Sequence, residues 1–188
     1  AIIFPDGIGV NIGSRIVGSF LKENINGSDM YPELCSLCTN ENKSIFFLGG
    51  RGNVPELLTK KTKEQFPKIN IAGFHHGYFG LDQNAYKIIK IINNVNPDIL
   101  LVALGVPTQE KWIHHYANEL NPSVIIGVGG LFDFYSGKTP RAPLWIRQIG
   151  QEWVYRLYQE PIRMWKRYII GNPLFLFRVL KWKFKNKR

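Results

Sequence analysis

From Ser44 onward, short runs of β-branched and aromatic residues alternate with longer amphipathic stretches that end in turn residues, the pattern of repeated βαβ units around a parallel sheet. Strands are predicted over 44–49, 69–74, 99–104 and 123–128, and helices over 54–66, 82–94 and 108–120. Pro67, Asn96-Pro97 and Asn121-Pro122 stop those helices. The strands run into Gly49-Gly50, Gly73, Gly105 and Gly127. In open parallel sheets ligands bind beyond the carboxyl ends of the strands, so these loops are predicted to form the rim of a site. Ala1 to Gly18 reads as one more strand and a turn into a helix bearing Ser14, Arg15 and Ile16. Beyond residue 143 the pattern becomes purely helical: a helix over 143–159 with Trp145, Ile149, Trp153 and Leu157 on one stripe, a restart or kink at Pro161, and a last helix from Asn172-Pro173 to about 185. The fold class is α/β: a Rossmann-like parallel sheet with flanking helices (residues 1–140) and a basic helical C-terminal appendage (residues 141–188).

Composition is that of a globular domain, 188 residues with 45% hydrophobic and 20% charged, which excludes wholesale disorder. Charge is distributed unevenly. Residues 1–137 hold 11 basic and 12 acidic side chains, whereas residues 138–188 hold 13 basic and 2 acidic, together with Trp145, Trp153, Trp165 and Trp182. A basic, aromatic tail of this kind is expected to meet an anionic partner. No apolar run reaches the roughly 18 to 20 residues of a spanning helix, because Arg178, Lys181 and Lys183 interrupt the tail. Cys35 and Cys38 form a lone C-x-x-C without the second pair of a zinc site, and a reducing cytoplasm is the expected compartment.

Several familiar motifs fail. Gly49-Gly50-Arg51-Gly52-Asn53-Val54 lacks the third glycine of a dinucleotide fingerprint, and no acid ends the following strand, which disfavours an NAD enzyme. The same glycines serve equally well as a tight strand-to-helix turn or as a phosphate contact at a helix N-terminus. Gly137-Lys138-Thr139 resembles the end of a P-loop, but Phe132 stands where the first glycine belongs. The pairs His75-His76 and His114-His115 fit no zinc spacing, and no Asp-x-Asp is present to hold a divalent ion. Neither metal nor cofactor is expected.

Four blocks go beyond a generic α/β pattern. Pro5-Asp6-Gly7-Ile8-Gly9-Val10 with Ser14-Arg15, Leu104-Gly105-Val106-Pro107-Thr108-Gln109-Glu110, Gly129-Gly130-Leu131-Phe132-Asp133, and the run from Arg141 through Trp145, Gln151-Glu152-Trp153 and Glu160-Pro161-Ile162-Arg163 to Arg167-Tyr168 follow one another in order. In this order and spacing the chain resembles the WecG/TagA/CpsF family of bacterial glycosyltransferases. Gln151 stands where the family's tail block is usually apolar. The resemblance implies an inverting, metal-independent transfer of a hexose, N-acetylmannosamine or similar, from a UDP-sugar to an undecaprenyl-diphosphate-linked sugar, in teichoic acid, capsule or other surface polysaccharide synthesis. It implies a peripheral location on the inner face of the bacterial cell membrane. It also implies a further segment, with a threonine- and asparagine-containing motif, ahead of Ala1; the chain therefore reads as N-terminally incomplete, with activity dependent on that segment.

Such a transfer needs a base beside the acceptor hydroxyl and positive or N–H-rich groups around the leaving diphosphate. By its residues alone Asp6 reads as the acid of an Asp-Gly turn; the resemblance makes it the candidate base, with Arg15 facing the same pocket. Gln109 and Asp133 follow strand ends, where an amide and a carboxylate can read a uracil or a sugar hydroxyl, and the resemblance implies that both contact the donor. Gly49 and Gly50 are candidate diphosphate contacts. Arg141, Arg147, Arg156 and Arg163 are the excess cations available to the departing UDP. The expected partners are the UDP-sugar, the lipid-linked acceptor and an anionic membrane surface; a homo-oligomer is compatible with the sequence. The alternatives are an inactive fragment or a basic nucleic-acid-binding module, although no nucleic-acid partner is expected.

Overall fold

A computed structural model of the chain describes residues 2–22, 25–78 and 83–186. In chain order the elements are α1 (Ile8–Val17), α2 (Gly27–Asn40), β1 (Ser44–Gly49), α3 (Val54–Gln65), β2 (Asn70–His75), α4 (Gln83–Val95), β3 (Ile99–Ala103), α5 (Thr108–Tyr116), β4 (Val124–Gly127), α6 (Leu131–Tyr135), α7 (Leu144–Gln148), α8 (Glu152–Gln159), α9 (Pro161–Trp165), a π-helical turn (Lys166–Gly171) and α10 (Asn172–Lys185). They pack as two compact units: residues 27–140, and the residues up to Asn26 together with those from Arg141 on.

The unit of residues 27–140 is a doubly wound sheet. Its four strands are all parallel in the order β2-β1-β3-β4. Alternation along β1 divides the core: Ile45 and Phe47 point toward Tyr31, Leu58 and Phe132 on α2, α3 and α6, while Phe46 and Leu48 point toward Ile89, Ile92 and Trp112 on α4 and α5. Each such fully buried side chain contributes about 1.5–3 kcal/mol. Both faces are covered, which is why the strands read as continuous apolar runs and were predictable to within about one residue.

Helices were harder to foresee. Position 82, where the second predicted helix begins, lies outside the described residues. The helix predicted over 108–120 ends at Tyr116, and the tighter bond from the Glu119 N–H to the Tyr116 carbonyl (3.0 Å) follows it. α2 carries Pro32 in its interior, a residue that normally breaks the ladder by removing the donor to the carbonyl four back. That carbonyl belongs to Ser28, and it accepts instead from the Tyr135 hydroxyl at 2.7 Å. Gly73 does not follow β2 but lies within it, opposite Phe46 at a bulge.

The second unit departs further from expectation. The predicted opening strand is absent among the described residues: Ile2–Asp6 is irregular, Pro5 supplies no N–H, and its carbonyl accepts from Ile25 at 2.9 Å. Whereas the sequence grouped residues 1–140, the first 26 pack with the appendage. α1 lies against α10, with Gly13 beneath Phe175 and Val179; a Cβ at Gly13 would come within 3.1 Å of the Phe175 ring. The helix predicted over 143–159 is two, α7 and α8, divided at Gly150, whose φ of +72° ends the first. The last helix does begin at Asn172-Pro173 and runs to Lys185, but no break precedes it: the residues joining α9, the π-helical turn and α10 all keep right-handed helical angles. The wider turn lies over the carbonyls that Pro173 cannot serve.

Candidate functional site

In the strand order β2-β1-β3-β4, the chain leaves β1 toward one face through α3 and leaves β3 toward the other through α5, so the carboxyl ends of β1 and β3 mark the switch point at which open parallel sheets take their ligands. Gly49 lies at this point with φ +129°, and a side chain there would strike the Ala103 carbonyl. The Gly50 N–H donates to that carbonyl at 3.2 Å, and the Gly77 N–H donates to the Gly50 carbonyl at 3.1 Å. Close approach of three loops thus accounts for Gly49 and Gly50. Above them the guanidinium of Arg51 lies 6.0 Å from the centroid of the Tyr78 ring, and the Lys138 ammonium donates to the Arg51 carbonyl at 3.4 Å. Tyr78 is exposed, offering an aromatic face next to the Arg51 cation. Arg51 was visible in the glycine run; nothing in the sequence singled out Tyr78.

Gln109 enters in the first turn of α5, its N–H donating to the Gly105 carbonyl at 2.9 Å, after the cis Val106–Pro107 peptide. Its side chain is buried. Oε1 accepts from the Gly129 N–H at 3.0 Å and Nε2 donates to Glu110 Oε1 at 2.9 Å. Asp133 is partly buried on α6, just past the Val128–Gly130 loop, and its carbonyl accepts from Thr139 at 3.0 Å. Gly49, Gly50, Gln109 and Asp133 therefore belong to one unit and lie at, or shortly after, the carboxyl ends of β1, β3 and β4.

Asp6, Arg15 and the four tail arginines belong to the other unit. Asp6 is exposed, directly before Gly7, whose carbonyl opens α1 by accepting from Val10 at 3.2 Å. Arg15 is exposed in the last turn of α1. The tail arginines have partners within their own unit. Arg141 Nε lies 3.5 Å from Glu152, Arg147 Nε donates to the Ala142 carbonyl at 3.1 Å, and Arg156 and Arg163 flank Glu160 at 3.7 and 2.9 Å. Glu152 and Glu160 are the only acids of residues 138–188, so much of the surplus charge falls on residues beyond Glu160, among them Lys166, Arg167, Arg178, Lys181, Lys183 and Lys185.

Groups elsewhere have structural work. Cys35 and Cys38 are free thiols in the core, and burial pushes Cys35 up to about 12 and Cys38 upward too, which suits packing and not nucleophilic chemistry. Thr62 donates to the Leu58 carbonyl, so its oxygen accepts from the Tyr31 hydroxyl at 2.6 Å; burial raises Tyr31 strongly. At the amino end of the sheet, Asp98 accepts from the Ser44 N–H at 2.9 Å, the Ser44 hydroxyl at 2.7 Å and Lys43 at 3.1 Å, which lowers its carboxyl to about 2, the Ser44 N–H contributing most. Among the described residues no three His, Cys, Asp or Glu side chains gather as metal ligands, and no helix is long and apolar enough to cross a membrane.

Comparison with known proteins places this arrangement. The chain is 40% identical over 186 residues to the N-acetylglucosaminyldiphosphoundecaprenol N-acetyl-beta-D-mannosaminyltransferase of Bacillus subtilis strain 168, covering 99% of this chain and 70% of that protein. It is 36% identical over 179 residues to the enzyme of the same name from Bacillus spizizenii (95% and 68%), and 32% identical over 190 residues to that of Staphylococcus aureus strain MW2 (99% and 71%). The profile of the glycosyl transferase WecG/TagA/CpsF family matches residues 1–188, and the chain belongs to that family.

Proposed function

We propose that the protein transfers N-acetylmannosamine, or a closely related hexose, from a UDP-sugar to an undecaprenyl-diphosphate-linked sugar, with inversion, in the synthesis of a teichoic acid or another surface polysaccharide. The observation that carries this reading is the 40% identity across 99% of the chain to a protein whose name specifies both the sugar and the lipid-linked acceptor. Asp6 takes the proton from the acceptor hydroxyl. As that oxygen bonds to the anomeric carbon, the bond from the anomeric carbon to the diphosphate oxygen breaks and UDP leaves with the electron pair. The backbone around Gly49 and Gly50 and the cation of Arg51 receive the diphosphate, and Asp133 a hydroxyl or the uracil. Arg15, Arg141, Arg147, Arg156 and Arg163 supply positive potential to the leaving group. For the four tail arginines their internal partners support a fixed rather than a mobile role.

The acceptor stays in a membrane, and the tail suits a surface-bound enzyme on the inner face. Phe177, Trp182 and Phe184 are exposed among the surplus cations, and Trp145 is exposed on α7. Each Lys or Arg near an anionic bilayer contributes about 1 kcal/mol, so half a dozen suffice for reversible attachment. The test is transfer of labelled sugar from a panel of UDP-hexoses to undecaprenyl-diphosphate N-acetylglucosamine in phosphatidylglycerol vesicles. The expected result is a lipid-linked disaccharide from the N-acetylmannosamine donor; no transfer from any donor, with the segment expected ahead of Ala1 supplied as well, would refute the proposal.

A further inference from the structure

Gln109 has the position of a ligand-reading amide but not the free atoms of one. It is 3% exposed, its oxygen is held by the Gly129 N–H at 3.0 Å and its nitrogen by Glu110 at 2.9 Å. A separate observation fixes the same geometry from the other side. Gly127, the last residue of β4, faces the carboxamide so closely that a Cβ there would lie 2.9 Å from Nε2 and 3.3 Å from Cδ. Backbone bonds hold the residues on either side, Val128 N–H to the Val102 carbonyl at 2.8 Å and Leu131 N–H to the Val128 carbonyl at 3.3 Å, while Gly129 itself, with φ +57° and open space where its Cβ would be, gives its N–H to Gln109. We propose that Gln109 is a positioning residue, a strap from the first turn of α5 that fixes the loop after β4 and with it the start of α6 carrying Asp133. This rests on the donor site proposed above, whose affinity the strap would set. The strap is a bond between neutral groups, the Gly129 N–H and the Gln109 oxygen, and a buried bond of that kind favours the strapped loop by up to about tenfold; the charge-assisted bond to Glu110 holds the carboxamide in the orientation that makes it.

The pair Gln109–Glu110 permits a discriminating exchange. Gln109→Glu alone sets two carboxylates side by side and removes the amide donor. The double variant Gln109→Glu/Glu110→Gln rebuilds both bonds with donor and acceptor reversed: the new carboxylate accepts from the Gly129 N–H and from the new amide. Two readouts are made on the full chain, hydrogen exchange of the Gly129 amide by NMR and the KM for the UDP-sugar. Gln109→Ala and Gln109→Glu should speed Gly129 exchange by about tenfold and raise KM by a similar factor, with kcat changed less. The exchanged pair should recover both; thermal melts establish that it is folded, and it carries the test should either single variant fail to fold. Unchanged Gly129 exchange in Gln109→Ala would overturn the strap. So would an exchanged pair that protects Gly129 while KM stays as high as in Gln109→Glu, because Gln109 would then touch the donor itself. If the unaltered chain, supplied with the segment expected ahead of Ala1, transfers no sugar, the proposed function fails while the exchange rates still decide whether the strap exists.

Discussion

Gly49 cannot gain a methyl group without striking the Ala103 carbonyl, whereas Trp182 and Phe184 present rings that are 58% and 71% exposed. The carboxyl rim of the sheet is a place where backbones touch and side chains are excluded. The helices beyond Leu144 are the reverse: α7, α8 and α10 contain no buried residue, and large aromatic groups stand beside cations. The first arrangement suits a small polar ligand held by main-chain groups, the second a broad, anionic, partly apolar surface. The two regions should therefore fail differently when altered, one through folding or turnover and the other through attachment.

The sharpest break is expected at Asp6. Asp6→Asn should lower turnover by about 10² or more while the thermal melt stays that of the parent, measured by UDP release and calorimetry. On the rim, Gly49→Val should cost at least about 2 kcal/mol, combining a collision with a backbone angle that β-branched residues avoid; for a chain of this size Tm should drop by roughly 4 °C or more. In the tail, replacing Trp182 and Phe184 together by Ser should change stability by less than about 0.5 kcal/mol but reduce cosedimentation with phosphatidylglycerol vesicles several-fold. This variant is cleaner than deletion of residues 173–188, since Phe175 and Val179 cover Gly13 of α1 and their loss would uncover that helix. The smallest effect concerns Asp98. Its carboxyl is lowered to about 2 in the folded chain, so its stabilisation is full above the unfolded value near 4 and is lost as pH falls from there toward 2. The Tm gap between the parent and Asp98→Asn should be constant above pH 5 and close progressively in acid.

The sheet was legible because strands buried on both faces, such as Ile45–Leu48 and Ile99–Val102, leave continuous apolar runs that end in turn residues. α2 was not, because Pro32 argues against a helix unless one knows that Tyr135, more than a hundred residues on, satisfies Ser28. In the tail, Trp145, Ile149, Trp153 and Leu157 recur every four residues and suggest one helix, but Gly150 turns the chain between them at a φ of +72° that disfavours other residues, with the Ile8 side chain against it. The candidate site was legible in part. Strand ends located Gly49, Gly50, Gln109 and Asp133, since ligand loops follow from topology. Their partners were not readable: Gln109 is held by Gly129, and Arg51 stacks near Tyr78, across loops whose approach only the folded sheet creates. The grouping of Asp6 and Arg15 with the appendage likewise depends on α1 packing against α10.

The most direct measurement is the anomeric configuration of the product formed from UDP-N-acetylmannosamine and undecaprenyl-diphosphate N-acetylglucosamine, read by NMR with EDTA present throughout. Single displacement assisted by Asp6 without a metal ion predicts a β-linked disaccharide from the α-linked donor, formed at an undiminished rate and at least about a hundredfold more slowly with Asp6→Asn. An α-linked product, or transfer abolished by EDTA and restored by Mg²⁺ or Mn²⁺, would contradict it.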